Sequence, residues 1–102
     1  MTENIWNEAK TLKELTRQVA TVLPDLGWYL TTAESCTGGN LASALCAEAD
    51  TASFFDTGVV TFSDDAKHKV LGVSKATLDK YTAVSGQTVS EMAQGALKLA
   101  AA

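Results

Sequence analysis

Two β-rich runs limit what this chain can fold into. "WYLTTAE" (28–34) and "FFDTGVVTF" (54–62) are rich in aromatic and β-branched residues, the composition of strands. Between them lie a glycine pair and then Leu41, Ala42, Leu45 and Cys46, an apolar stripe at helical spacing. A helix between two strands rules out a tight hairpin. It requires a crossover, and a crossover lays the strands parallel in one sheet.

The flanking segments extend the pattern. Leu12, Leu15, Val19, Val22 and Leu23 predict a helix over 7–23 that Pro24 closes. The stretch 63–73 reads as a short helix capped by Ser63 or Asp64 and stopped by Gly72. A second short helix follows over 74–81, with Ser74 as its cap. From Ser85 to 102 the buried stripe is expected to be Val89, Met92, Ala93, Ala96, Leu97 and Leu99. Gly58 inside the second strand suggests a bulge or a close backbone approach, and the strand is expected to be buried on both faces towards its end. Alternating helices and strands predict an α/β fold, a layered α/β/α arrangement with a mostly parallel sheet. The expected organisation is one domain over 1–102, with residues 1–10 as a polar N-terminal extension. Two strands fall short of the three or more that a stable sheet usually needs. That shortfall and the apolar last helix predict a homo-oligomer, or only the first part of a longer domain.

Charge narrows the partners. Twelve acidic residues against eight Lys and Arg leave a formal net charge of −4, so the basic footprint of a nucleic-acid binder is missing. Lys10, Lys13 and Arg17 are offset by Glu8 and Glu14, as on a solvated helix face. The N-terminal segment is polar, and no run approaches the ~20 apolar residues that span a bilayer. Cys36 and Cys46, expected near the two ends of one helix about 15 Å apart, are too distant for a disulfide. The expectation is a cytoplasmic protein with reduced thiols and no membrane partner.

"AESCTGGNLA" (33–42) is where chemistry is concentrated. A strand ending at Glu34 and a helix starting near Gly38 put Ser35, Cys36 and Thr37 at the carboxyl end of the strand, where open α/β sheets bind ligands. Unpaired N–H groups of a first helical turn favour an anion or an oxyanion there. The turn matches neither a phosphate loop nor a dinucleotide fingerprint. Taken alone, it reads first as a capped helix start and second as a catalytic turn, since Ser and Thr are preferred caps. His68, the single histidine, sits on a charged segment and fits no Ser-His-Asp order. Lys67 is the better candidate base for a serine, although most such lysines are solvated. Two distant cysteines and one histidine match no zinc spacing, and helix capping explains Asp64 and Asp65.

"TTAESCTGGNLASAL" (31–45), "GVVTFSDDAKHKVLGV" (58–73) and "AVSGQTVSEMAQGAL" (83–97) resemble, in order and spacing, the CinA C-terminal domain family, which includes nicotinamide mononucleotide deamidases. The resemblance runs from about Leu12 onward. It implies hydrolysis of the carboxamide of nicotinamide mononucleotide to nicotinate mononucleotide and ammonia, with no metal and no organic cofactor. It casts Ser35 as nucleophile and Lys67 as base, with Glu34, Thr37, Gly38, Gly39 and Phe62 around the substrate, and implies a homo-oligomer. The family usually has tyrosine where this chain has Phe62, followed here by Ser63 and Asp64, and its members continue past the last helix. Those departures support an alternative: a non-catalytic relative that serves as a nucleotide-binding or assembly module.

Overall fold

The computed structural model describes residues 11–101, so residues 1–10, including the polar extension and the start of the first expected helix, lie outside the described residues. Its elements are α1 (Leu12–Leu26), β1 (Leu30–Glu34), α2 (Asn40–Cys46), a 3-10 turn (Thr51–Ser53), β2 (Phe55–Val60), α3 (Asp64–Leu71), α4 (Lys75–Tyr81) and α5 (Gly86–Ala101). β1 and β2 pair in a two-stranded sheet. The Leu30 N–H donates to Phe54 O (2.7 Å) and the Thr61 N–H to Glu34 O (3.0 Å), so the strands run the same way, as the crossover requires. The fold is α/β.

The described residues form two compact units, one built from 11–30 with 40–56, the other from 31–39 with 57–101. In the first, α1 starts at Thr11, whose Oγ1 accepts from the Glu14 N–H (3.1 Å). Pro24 does not close this helix. The helix runs through it to Leu26 and ends at Gly27 in the left-handed region (φ 70°). The stop comes from the Gly27 and Trp28 N–H groups, which donate to Pro24 O and Leu23 O in a Schellman motif. Thr16, Leu45 and Phe54 are buried here, and the Thr16 hydroxyl lies 3.1 Å from Glu48 Oε2.

The second unit holds the main core: Leu71, Val73, Leu78, Met92 and Ala96, with Ala33, Val59 and Ala83 packed against it. Ala33 and Val59 therefore face the helices, while Thr32 and Glu34, one residue off in a period of two, are buried on the other face. Burial alternates along β2 through Gly58 without a break. Val60 stays half exposed, so the end of this strand is not buried on both faces.

Capping is specific in this unit. Ser63 Oγ accepts from the Ala66 N–H (3.0 Å) and Gly72 (φ 71°) ends α3. Ser74 Oγ accepts from the Thr77 N–H (2.9 Å), but the carboxylate that completes the box comes from α5. Glu91 Oε1 accepts from the Ser74 N–H (2.9 Å), and its other oxygen accepts from the Thr77 hydroxyl. These bonds hold the Glu91 carboxyl below its ordinary value, the Ser74 N–H contributing most. Between α4 and α5, Thr82 has φ 67° and ψ 173°, a strained position for a β-branched residue. Its carbonyl accepts from Thr88 Oγ1 (2.7 Å), and Thr88 is fully buried.

The stripe of α5 differs from expectation. Thr88, Met92 and Ala96 are buried, while Val89, Ala93, Leu97 and Leu99 are exposed. Gly95 explains the choice of face. A Cβ there would stand 1.8 Å from Leu71 O and 2.7 Å from Leu71 C, so the glycine lets the end of α3 lie directly on α5.

Two outcomes follow. Gly95→Ala gains about 1 kcal/mol of helix propensity but meets backbone that cannot step aside. Overpacking wins, and urea unfolding should show a loss of about 2–3 kcal/mol with an unchanged slope. Glu91, its folded value lowered, contributes stability that is fully present above the ordinary carboxylate range and lost as pH falls through the lowered value. Glu91→Gln should therefore flatten the acid limb of a Tm-against-pH curve; an unchanged limb would remove Glu91 from that role.

Candidate functional site

The Ser35 turn and Lys67 belong to the same unit, and the backbone brings them to one corner. β1 ends at Glu34, whose carbonyl accepts from the Thr61 N–H just past the end of β2. Lys67, on the first turns of α3, sends its side chain back to that point. Its Nζ donates to Thr61 O (3.0 Å) and Phe62 O (2.9 Å), and the residue is 1% exposed. An ammonium is costly to bury without partners, so the two carbonyls are what allow a lysine here. The expectation that most such lysines are solvated does not hold for this one.

The geometry leaves one position on the nitrogen uncommitted. A neutral amine has two N–H bonds and a lone pair; an ammonium has a third N–H in place of the lone pair. The carbonyls occupy two donors in either state. No hydrogen bond joins Nζ to the Ser35 hydroxyl.

In the turn, Gly38 and Gly39 adopt φ 60° and 103°, values that L side chains resist. The Gly38 N–H donates to Ser35 O (3.1 Å), so it closes the turn and is not free to meet an anion. Ser35 is partly buried, and Cys36, Thr37 and Gly38 are exposed. Thr37 does not cap α2 with its hydroxyl. Thr37 Oγ1 donates to Glu34 Oε1 (2.7 Å), and Glu34 is 4% exposed. The carboxylate thus lies buried beneath the turn and ties it to the strand end. The helix begins at Asn40, later than expected, so Cys36 lies in the turn and Cys46 at the end of α2; both are exposed free thiols.

Phe62 meets Lys67 through its backbone carbonyl, while its ring is 73% exposed. Any residue at 62 other than one that breaks the local backbone could supply that carbonyl. His68 Nδ1 sits 2.7 Å from Val73 O and takes no part in the corner. Among the described residues, no three His, Cys, Asp or Glu side chains gather as metal ligands, and no helix is long and apolar enough to cross a membrane. A groove of about 450 Å³ lies elsewhere, along Gly86, Gln87, Ser90 and Glu91, and contains none of the expected site residues. Sequence reasoning missed Glu91, because its partners Ser74 and Thr77 lie on another helix.

Comparison with known proteins agrees on kinship. The sequence matches the CinA C-terminal domain over residues 12–102. It is 50% identical over 93 residues to the nicotinamide-nucleotide amidohydrolase PncC of Enterobacter agglomerans, covering 91% of this chain and 57% of that protein. It is also 50% identical to protein YdeJ of Escherichia coli, covering 54% of that chain. The competence damage-inducible protein A of Klebsiella pneumoniae superimposes with a TM-score of 0.89 at 61% identity, over 91% of this chain and 58% of that one. The chain thus spans somewhat over half the length of these relatives.

Thr37→Val tests the support of the turn. It removes one donor to a buried carboxylate, and the expected cost is about 1–2 kcal/mol in chemical denaturation. A loss below a few tenths would show that Glu34 does not need Thr37.

Proposed function

The chain belongs to the CinA C-terminal domain family, and from that premise we propose that it is an amidohydrolase of the nicotinamide-nucleotide type, hydrolysing nicotinamide mononucleotide to nicotinate mononucleotide and ammonia. The observation that supports this reading most is the buried Lys67 nitrogen, pinned by Thr61 O and Phe62 O just past the end of β2, where the Thr61 N–H also meets Glu34 O at the foot of the Ser35 turn. The amidohydrolase name of the Enterobacter relative gives the substrate class.

In this reading Ser35 Oγ attacks the carboxamide carbon while the free position of Lys67 Nζ takes the hydroxyl proton. The tetrahedral oxyanion meets the N–H groups of Thr37 and Gly39, Gly38 being committed to Ser35 O. Lys67 returns the proton to the departing ammonia, leaving an acyl-serine. Water then hydrolyses the ester with the same lysine as base, releasing the nicotinate carboxylate and restoring Ser35. Glu34 supports the turn from below through Thr37. Phe62 contributes its carbonyl, so the replacement of tyrosine leaves the anchoring of Lys67 intact. A cytoplasmic homo-oligomer forms part of the same reading; a monomer by light scattering would count against that part.

The second reading is a non-catalytic nucleotide-binding relative. The Ser35 hydroxyl and Lys67 Nζ share no hydrogen bond, which favours this alternative.

Ammonia release from nicotinamide mononucleotide by the purified chain separates the two. Turnover is expected, with Ser35→Ala and Lys67→Met each lowering it on the order of 10⁴-fold or more, and the double variant losing little beyond either single change. Turnover that survives Ser35→Ala would remove the serine from the chemistry. Absence of turnover, with nucleotide raising Tm, would establish the binding reading.

A further inference from the structure

Thr61 stands between the two residues on which the proposed chemistry rests. Its N–H donates to Glu34 O (3.0 Å), the carbonyl of the peptide bond that joins Glu34 to Ser35. Its own carbonyl accepts from Lys67 Nζ (3.0 Å). Both bonds use the backbone and leave the side chain uncommitted. That side chain ends in a buried hydroxyl with no hydrogen-bond partner, on a residue that is 1% exposed.

A buried hydroxyl without a partner costs stability that an apolar side chain of the same shape would not, and valine has that shape. The gap between Ser35 and Lys67 gives the hydroxyl a use. No hydrogen bond joins the Ser35 hydroxyl to Nζ, and Thr61 O and Phe62 O take two of the positions on the nitrogen. A hydroxyl donates and accepts at once, whereas a carbonyl only accepts. A turn about the Cα–Cβ bond moves Thr61 Oγ1 among its staggered positions without disturbing either backbone bond. Phe62 has no hydroxyl to offer, and its ring is exposed. Thr32 Oγ1 is also buried and unpartnered, but Thr32 lies on the face of β1 away from the helices.

We propose that Thr61 is a further catalytic residue, a proton relay between Ser35 and Lys67. The inference rests on the amidase reading for its setting and adds a step to it. As Ser35 Oγ bonds to the carboxamide carbon, its proton passes to Thr61 Oγ1, and the proton already on Thr61 passes to the Nζ lone pair. The carbonyl electron pair moves to the oxyanion, Thr61 ends neutral, and Lys67 ends as an ammonium. When the carbon–nitrogen bond breaks, Nζ returns a proton to Thr61 and Thr61 gives its own to the departing ammonia.

The test compares Thr61→Val with Thr61→Ser in the purified chain by two readouts. One is ammonia release from nicotinamide mononucleotide. The other is the rate at which a fluorophosphonate probe phosphonylates Ser35 and expels fluoride, which needs the serine proton removed but no nucleotide. Thr61→Val should keep the parent Tm or exceed it, while kcat and the probe rate each fall about 100-fold or more and KM stays within about twofold. Thr61→Ser keeps the hydroxyl and should retain both rates within about tenfold. Thr32→Val, which removes the other unpartnered hydroxyl, should leave both readouts unchanged. A Thr61→Val chain as reactive as the parent would overturn the relay and leave the amidase standing. So would a loss that Thr61→Ser shares in full, or a fall in Tm large enough to account for the loss. A parent that reacts with the probe but releases no ammonia would overturn the amidase alone, and the probe rates of the two variants would then decide the relay. A parent inert to both would overturn both.

Discussion

The second unit is organised around one buried lysine. Lys67 lies on α3, and its nitrogen reaches back to two carbonyls just past the end of β2, Thr61 O and Phe62 O. The same Thr61 gives its N–H to Glu34 O, and Glu34 takes the Thr37 hydroxyl from the glycine turn. One chain of hydrogen bonds thus runs from the helix through both strand ends to the turn. Each link is short, and its main members, Lys67, Thr61 and Glu34, are buried, so none exchanges freely with water. Loss of the lysine would leave two carbonyls just past the end of β2 without this donor. Structure and proposed chemistry therefore draw on the same nitrogen.

That arrangement requires α3 to be held rigidly, and the helices above it do so by close approach rather than bulk. Gly95 lets α5 touch the backbone of Leu71, at the end of the helix that carries Lys67. Glu91, one turn earlier on α5, ties down the start of α4 through Ser74 and Thr77. Thr82 absorbs the turn between α4 and α5 in a backbone conformation that a β-branched residue resists, and its carbonyl is gripped by buried Thr88. Strain of this kind costs on the order of 1–3 kcal/mol and persists only where neighbours over-determine it. Met92 and Ala96, between these contacts, supply the apolar burial that makes α5 stay.

The strand–helix alternation, the Ser63 and Ser74 caps and the Gly72 stop were legible because each is a local signal. The family blocks pointed to Ser35 and Lys67 as the site residues. Pro24 misled because a proline usually marks a helix end, whereas here the stop is set by Gly27 and its two N–H bonds. The face of α5 misled for a different reason. Its apolar arc is wide enough to offer two rows, and periodicity cannot say which one is covered; Gly95 decides, through a contact with Leu71 that no spacing rule contains. Glu34 shows what only the fold supplies at the site: its burial and its bond to the Thr37 hydroxyl depend on three-dimensional placement that no sequence pattern carries.

The role of Phe62 also depends on the distinction between side chain and backbone. If a phenol were needed to orient the lysine, a phenyl ring would leave Nζ underdetermined. Here orientation comes from carbonyls at 61 and 62, and a carbonyl is common to every residue type. The ring is exposed to solvent. A change from tyrosine to phenylalanine at this position therefore leaves the two carbonyls that hold Lys67 in place. What holds the Lys67 nitrogen is thus a property of the backbone at 61 and 62 and not of the side chain at 62.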